Sequence, residues 1–347
     1  MAPVGKLQGL ALMLALFVSL LTGCGAETES VRLGGSIYGT QWALVYPADG
    51  TDKTSAEVKA ALEAAFEVVD TSMNSYDPDS TLSRFNRLDV GEPLELDWDF
   101  AYVLSEAFKV SHLTEGAYDV SVGPLLDLWG FGPEGPRAFP SGESIMAVRA
   151  AVGSAQFDWD PRTRTLIKKH PDAYLELSSI AKGYGVDLGA DALDELGLNS
   201  YMLDIGGEIR LRGQSPRGDL WRIAVERPNG VGRQMQVALA LTDTGLATSG
   251  DYRNFFEREG KRYSHLLDPR TGYPIAHDLV SVTVVHPSTA LADAWATALI
   301  ILGADDALAI AERQRLAVYL VRQIGDNYEA SWSSAFAPFM AGDAPAG

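Results

Sequence analysis

Hydrophobic positions along this chain recur with two periods. Alternation over Ser36–Tyr46 (Ser-Ile-Tyr-Gly-Thr-Gln-Trp-Ala-Leu-Val-Tyr) predicts a strand. From Thr54 or Ser55 to Asp70 the spacing changes: Val58, Leu62, Ala65, Phe66 and Val69 fall on one helical face behind a capping residue. Phe100, Val103, Leu104, Phe108 and Leu113 mark a second helix from about Asp97 to Thr114, and residues 130–142 form a Gly/Pro-rich loop. A strand over Tyr174–Leu177 is expected to lead into a helix whose core face is Leu188, Ala192 and Leu196, closed by Gly197. Strands then dominate: Tyr201–Ile205, Trp221–Glu226, Gln236–Leu241 and Val280–His286, followed by a helix from Ser288 to Leu302 ended by Gly303. No internal repeat and no regular βαβ rhythm is visible, so the expected class is α+β, with mixed sheets flanked by helices.

Composition narrows the function. Of 347 residues, 46% are hydrophobic, ample for a large core. Lys and Arg number 28 against 46 Asp and Glu, a net charge of −18, and no basic run offsets it, which argues against a nucleic-acid partner. A single cysteine excludes a disulfide framework, an iron–sulfur cluster and a zinc ribbon. That cysteine, Cys24, follows an apolar run from Leu10 to Leu21 and the tripeptide Leu-Thr-Gly. Twelve apolar residues are too few to span a bilayer but suit a signal peptide. The pattern resembles a bacterial lipoprotein cleavage site, which would make residues 1–23 the signal, Cys24 the acylated mature N-terminus and residues 24–30 a tether. A folded domain over 31–340 and a flexible tail over 341–347 complete the expected layout.

Several segments are too polar for ordinary core. In Leu177–Asp187, Ser178 or Ser179 is placed to cap the following helix, leaving its first N–H groups and Lys182 facing one point. That combination suits a phosphate, although a well-capped helix with a solvated lysine has the same pattern. Asp293 and Thr297 lie four residues apart on a predicted helix and therefore on one face. A carboxylate and a hydroxyl are hard oxygen donors suited to Mg²⁺; the alternative is a surface-facing pair. His265 lacks a metal-spaced partner. No Ser-His-Asp arrangement, Gly-x-Ser-x-Gly, P-loop or Gly-x-Gly-x-x-Gly is present.

Taken in order, the polar segments resemble a known family. They begin with Gly39-Thr40, Ser75-Tyr76-Asp77-Pro78-Asp79-Ser80 and Arg84-Phe85-Asn86, then Gly116–Pro124 with Trp129-Gly130-Phe131-Gly132. They continue through Ala181-Lys182-Gly183-Tyr184, Gly206-Gly207-Glu208, Thr248-Ser249-Gly250-Asp251-Tyr252, Ser264–Gly272 and Ala292–Thr297. The set is similar to the ApbE family of FAD:protein FMN transferases, lipoproteins that work on flavin at the outer side of the bacterial inner membrane. The resemblance implies a single T-fold-like catalytic domain. It also implies that Tyr38, Tyr76, Ala117, Tyr118, Asp119, Ser178, Tyr184 and Leu267 contact FAD. Ala181, through its carbonyl, with Asp293 and Thr297 would ligate Mg²⁺, with Mn²⁺ as a substitute. Some members carry Asp where this chain has Ala296, so one side-chain ligand is missing here.

The reaction so implied is a phosphotransfer. An acceptor Thr or Ser hydroxyl attacks the FMN phosphorus of FAD, AMP leaves, and the flavin stays joined by a phosphoester. His265 is the residue that would take the hydroxyl proton, and Lys182 would neutralise phosphate charge. The acceptor would be a membrane flavoprotein such as a subunit of an Nqr- or Rnf-type complex. Two other readings use the same residues: a hydrolase giving FMN and AMP, and a non-catalytic flavin-binding lipoprotein.

Overall fold

In the computed structural model the stripe of Val58, Leu62, Phe66 and Val69 becomes the buried face of helix α1 (Ser55–Met73). Thr54 caps it: its hydroxyl accepts from the Glu57 N–H while the Glu57 carboxylate accepts from the Thr54 N–H. That reciprocal box satisfies two donors the helix leaves orphaned. The structure describes residues 29–132, 135, 139–226, 235–251, 255–258 and 261–341. The signal peptide, Cys24, nearly all of the tether, Tyr252 and residues 342–347 of the tail lie outside the described residues, as do parts of the 130–142 loop.

Eight strands build the central sheet: β1 (Ser30–Ile37), β2 (Thr40–Pro47), β3 (Tyr201–Ile205), β4 (Glu208–Arg212), β5 (Thr244–Gly250), β6 (Leu279–His286), β7 (Ala317–Ile324) and β8 (Asn327–Trp332). They lie side by side in chain order, each antiparallel to the next. Helices α2 (Thr81–Arg87), α3 (Trp98–Leu113), α4 (Gly123–Trp129), α5 (Gly142–Arg149) and α6 (Ala181–Glu195) join α1 in one excursion between β2 and β3. A second excursion, between β6 and β7, carries α7 (Thr289–Leu302) and α8 (Ala304–Gln314). The class is α+β, and every strand pairing among the described residues is antiparallel.

Both faces of the sheet are covered. On one side α7 packs its Ala/Leu/Ile surface on β5 and β6, and α6 lies between α7 and α1. The other side is closed by the hairpin Trp221–Glu226/Met235–Leu241 and by Phe336. Seven of the eight residues of β6 are buried, Ser281 and Thr283 among them, because both faces of the sheet are covered there.

Three local expectations are corrected. Residues 36–46 are not one strand: Tyr38 and Gly39 take φ of 50° and 72°, and this two-residue turn folds the segment into the β1–β2 hairpin. Tyr174–Leu177 joins no ladder; its backbone is held by Val120 and by the Asn86 side chain. The buried face of α6 is Gly183, Val186, Ala190 and Leu193, with Leu188, Ala192 and Leu196 only partly buried. The inner face is glycine-rich because α6 is wedged against α1, α7 and β3. A Cβ on Gly189 would stand 2.8 Å from Leu203 and 2.9 Å from Phe66.

Candidate active site

Helices α6 and α7 start beside one another, and each caps the other. Neither Ser178 nor Ser179 caps α6 as the sequence suggested; Ile180 occupies that position without a side-chain bond. Ser178 donates instead to the Glu176 carboxylate at 2.5 Å, and Ser179 to the Tyr118 hydroxyl at 3.0 Å. The α6 end is served from the neighbouring helix, where Asp293 Oδ2 accepts the Gly183 N–H at 3.3 Å. In return Asp187 of α6 accepts the Thr289 and Ala290 N–H groups at 2.8 and 3.0 Å, and the Ser288 hydroxyl at 2.8 Å. A carboxylate at a helix N-terminus also meets the positive end of the dipole. The exchange needs close approach: a Cβ on Gly183 would lie 2.4 Å from the Thr289 carbonyl oxygen.

This junction forms one wall of a cleft of about 1060 Å³. Lys182, Asp293 and Thr297 line it, with Glu208 at the head of β4, Ser249 on β5, and His265 and Leu267. Asp293 is 4% and Glu208 6% exposed. Thr297 is partly buried, so its pair with Asp293 lines the cleft rather than an open helix surface. The Lys182 ammonium sits between them, 3.4 Å from Asp293 Oδ2 and 3.5 Å from Glu208 Oε1. Burial raises both carboxyl pKa values, although the ammonium opposes the rise. For Lys182, burial alone would favour loss of the proton; the two carboxylates outweigh it and hold the ammonium above its ordinary range. One cation therefore serves two buried acids.

Around that core the predicted residues divide. Thr297 Oγ1 lies 3.2 Å from Ser249 Oγ, a partner the sequence did not suggest. His265 lies edge-to-face with Phe131 at 6.3 Å. Tyr38, Tyr76, Ser178 and Ala181 line a second cleft of about 360 Å³, which shares Glu176, Ser178 and Lys182 with the first. Tyr76 stands at its mouth, 77% exposed, while the Tyr38 hydroxyl donates to the Phe66 carbonyl at 2.7 Å. Ala117 is fully buried and lines neither cleft. Tyr184 also lies off both clefts; two residues beyond Lys182, it is turned about the α6 axis to donate to Asp99 at 2.6 Å and pack on Tyr102. Ala296 is fully buried and offers no side-chain ligand.

Asp119 lines the cleft, yet its carboxylate is already engaged. Oδ1 accepts from the Ser121 N–H and hydroxyl, and Oδ2 from the Ser111 hydroxyl and the Ser154 N–H. It staples the Gly116–Gly123 segment to α3 and to the Ser154 turn. Asp119→Ala is expected to cost about 2–3 kcal/mol of stability, since several buried donors lose their acceptor. The urea midpoint reads that loss, and an unchanged midpoint would leave Asp119 a ligand contact alone. Neither Glu208 nor Glu176 was given a site role from the sequence, since the burial of Glu208 beside Lys182 and the place of Glu176 on the cleft wall show only in three dimensions.

The chain matches the ApbE family model over residues 38–320. It is 44% identical over 322 residues to the FAD:protein FMN transferase of Haemophilus influenzae, covering 91% of this chain and 93% of that one. The Vibrio cholerae enzyme of the same name is 42% identical over 322 residues, covering 92% and 96%. Solved structures agree: flavin transferase ApbE from Vibrio cholerae superposes with a TM-score of 0.83 at 41% identity, over 90% of this chain and 99% of that one. Pseudomonas stutzeri flavinyl transferase ApbE, in its apo form, gives 0.83 at 36% identity, over 91% and 98%. With the family model matched over residues 38–320, and the fold and nearly the full length in common with these relatives, this chain belongs to the ApbE family.

Proposed function

We propose that this protein transfers FMN from FAD to a Thr or Ser hydroxyl of an acceptor flavoprotein, releasing AMP, with Mg²⁺ or Mn²⁺ as cofactor. The observation that carries the reading is the buried junction itself, where an ammonium, a carboxylate and two hydroxyls meet on one wall of a cleft large enough for a dinucleotide. The donor set fits a small hard cation. Asp293 offers a carboxylate and Thr297 a hydroxyl on the first cleft. Ala181 lines the second cleft, which shares Lys182 with the first, and would add its carbonyl. Among the described residues no three His, Cys, Asp or Glu side chains form a closed cage. An open shell of oxygens is what Mg²⁺ takes when phosphate oxygens and water complete it. Bound there, the cation would neutralise charge on the pyrophosphate.

This chain's own residues supply the rest. Lys182 brings a fixed positive charge to the phosphates, and the second cleft, lined by Tyr38, Val69, Met73 and Tyr76, offers apolar walls to the flavin ring. The acceptor oxygen forms a bond to the FMN phosphorus as the bond from that phosphorus to the AMP oxygen breaks. His265, on the cleft wall, takes the hydroxyl proton. Alignment and charge neutralisation matter more here than covalent catalysis. Mixing the protein with FAD, Mg²⁺ and an acceptor-domain fragment is expected to leave fluorescent flavin on the denatured acceptor. FMN and AMP released equally with and without acceptor would instead make the protein a hydrolase.

The proposal extends to location. A lipid on Cys24 would hold the domain at the periplasmic face of the inner membrane, within reach of Nqr- or Rnf-type acceptor subunits. Cys24→Ser is expected to move the protein from the membrane fraction to the soluble one with FMN transfer intact. Retention of the variant in washed membranes would count against the anchor.

A further inference from the structure

Lys182 is held loosely by three acceptors. Its Nζ lies 3.3 Å from the Ser178 carbonyl, 3.4 Å from Asp293 Oδ2 and 3.5 Å from Glu208 Oε1. Tight charge-assisted N–H···O bonds run about 2.7–2.9 Å, so each contact is slack. The two acids differ in what else they hold. Asp293 Oδ2 also accepts the Gly183 N–H, whereas Glu208 Oε2 is buried with no hydrogen-bond partner among the described residues. Glu208 is set in place by the backbone: Gly206 and Gly207, at φ of 66° and 108°, make the two-residue turn that pairs Ile205 with Glu208 and starts β4 inside the cleft. A buried carboxylate oxygen without a donor is costly, and one on a residue that lines the cleft calls for a reason.

A divalent cation at Asp293 supplies that reason. It would compete with the ammonium for the same carboxylate and repel it across a short distance. The lysine stem is long and flexible enough to swing. We propose that Glu208 is a positioning residue that takes Lys182 over from Asp293 when a divalent cation binds, using its unpartnered Oε2. The inference rests on the reading of Asp293 as a metal ligand. Its consequence is economy of charge: Lys182 and Glu208 neutralise each other, and the Asp293 charge is left to the cation. The ammonium also stays in the cleft, facing the phosphates.

The test measures Mn²⁺ binding to the full chain by electron paramagnetic resonance, in wild type and in a cycle of Glu208→Gln, Lys182→Met and the double variant. Glu208→Gln is expected to weaken Mn²⁺ binding about tenfold while Lys182 is present. In the Lys182→Met background the same change is expected to cost less than about twofold, because nothing remains to be handed over. Equal losses in both backgrounds, or none in either, overturn the handover and leave Glu208 a bulk charge or a bystander. Glu208→Asp gives a second reading at constant charge: pulling the carboxylate back by one methylene is expected to weaken Mn²⁺ binding several-fold, and unchanged affinity overturns the proposal. Asp293→Asn separates the two levels. If wild type binds no Mn²⁺, or Asp293→Asn binds it equally well, the metal reading fails and the handover fails with it.

Discussion

Asp293→Asn is expected to lower FMN transfer by about 10³-fold or more while FAD still binds, because the lost charge acts where phosphate charge builds up in the transition state. Asparagine is the informative replacement. It keeps the volume of a side chain that is 4% exposed, and its amide oxygen still accepts from the Gly183 N–H. Alanine would instead open a hole between α6 and α7 and leave the Gly183 N–H without its acceptor, mixing a folding defect into the kinetics. The defect belongs in kcat more than in FAD affinity, since the apolar walls of the second cleft, proposed for the flavin ring, are untouched. EDTA is expected to reproduce it in wild type, and Mg²⁺ or Mn²⁺ to reverse it. Covalent flavin accumulating on the acceptor at the wild-type rate, in EDTA and in Asp293→Asn alike, would leave Asp293 a helix cap and nothing more.

Gly183→Ala carries the second large effect, on stability. The added Cβ would stand 2.4 Å from the Thr289 carbonyl oxygen and 2.8 Å from the Ala290 Cα, both backbone atoms that no rotamer change can move aside. Relief requires α6 and α7 to separate, which stretches the Asp293–Gly183 bond and the three bonds Asp187 makes to the start of α7. A cost of about 3 kcal/mol or more is expected, at the upper end for overpacking. Gly189→Ala is the control on the same helix. Its new methyl would meet side-chain ends of Leu203, Phe66 and Leu62 at 2.8–3.3 Å, and such ends can yield. About 1–2 kcal/mol is expected there. Urea unfolding of the two variants decides the matter, and a Gly189→Ala loss equal to or larger than that of Gly183→Ala would refute the backbone-contact argument.

What could be read from the chain alone was whatever depends on neighbours in sequence. Helices α1, α3 and α7 were legible because their caps Thr54, Asp97 and Ser288 precede apolar stripes of period 3.6. The α+β class, the polar segments and the Asp293–Thr297 pair were legible for the same reason. Tertiary structure decided the rest. A turn at Tyr38-Gly39 needs two residues at positive φ, which alternation does not record, so one strand was read where two pair. The inner face of α6 follows its glycines rather than its leucines, because packing between two helices rewards close approach over apolar area. The capping serines of α6 were displaced by a carboxylate 110 residues away, a competition no local rule contains. Glu208 is the clearest case: its role depends on burial beside Lys182, and burial of a charge is decided by what folds over it.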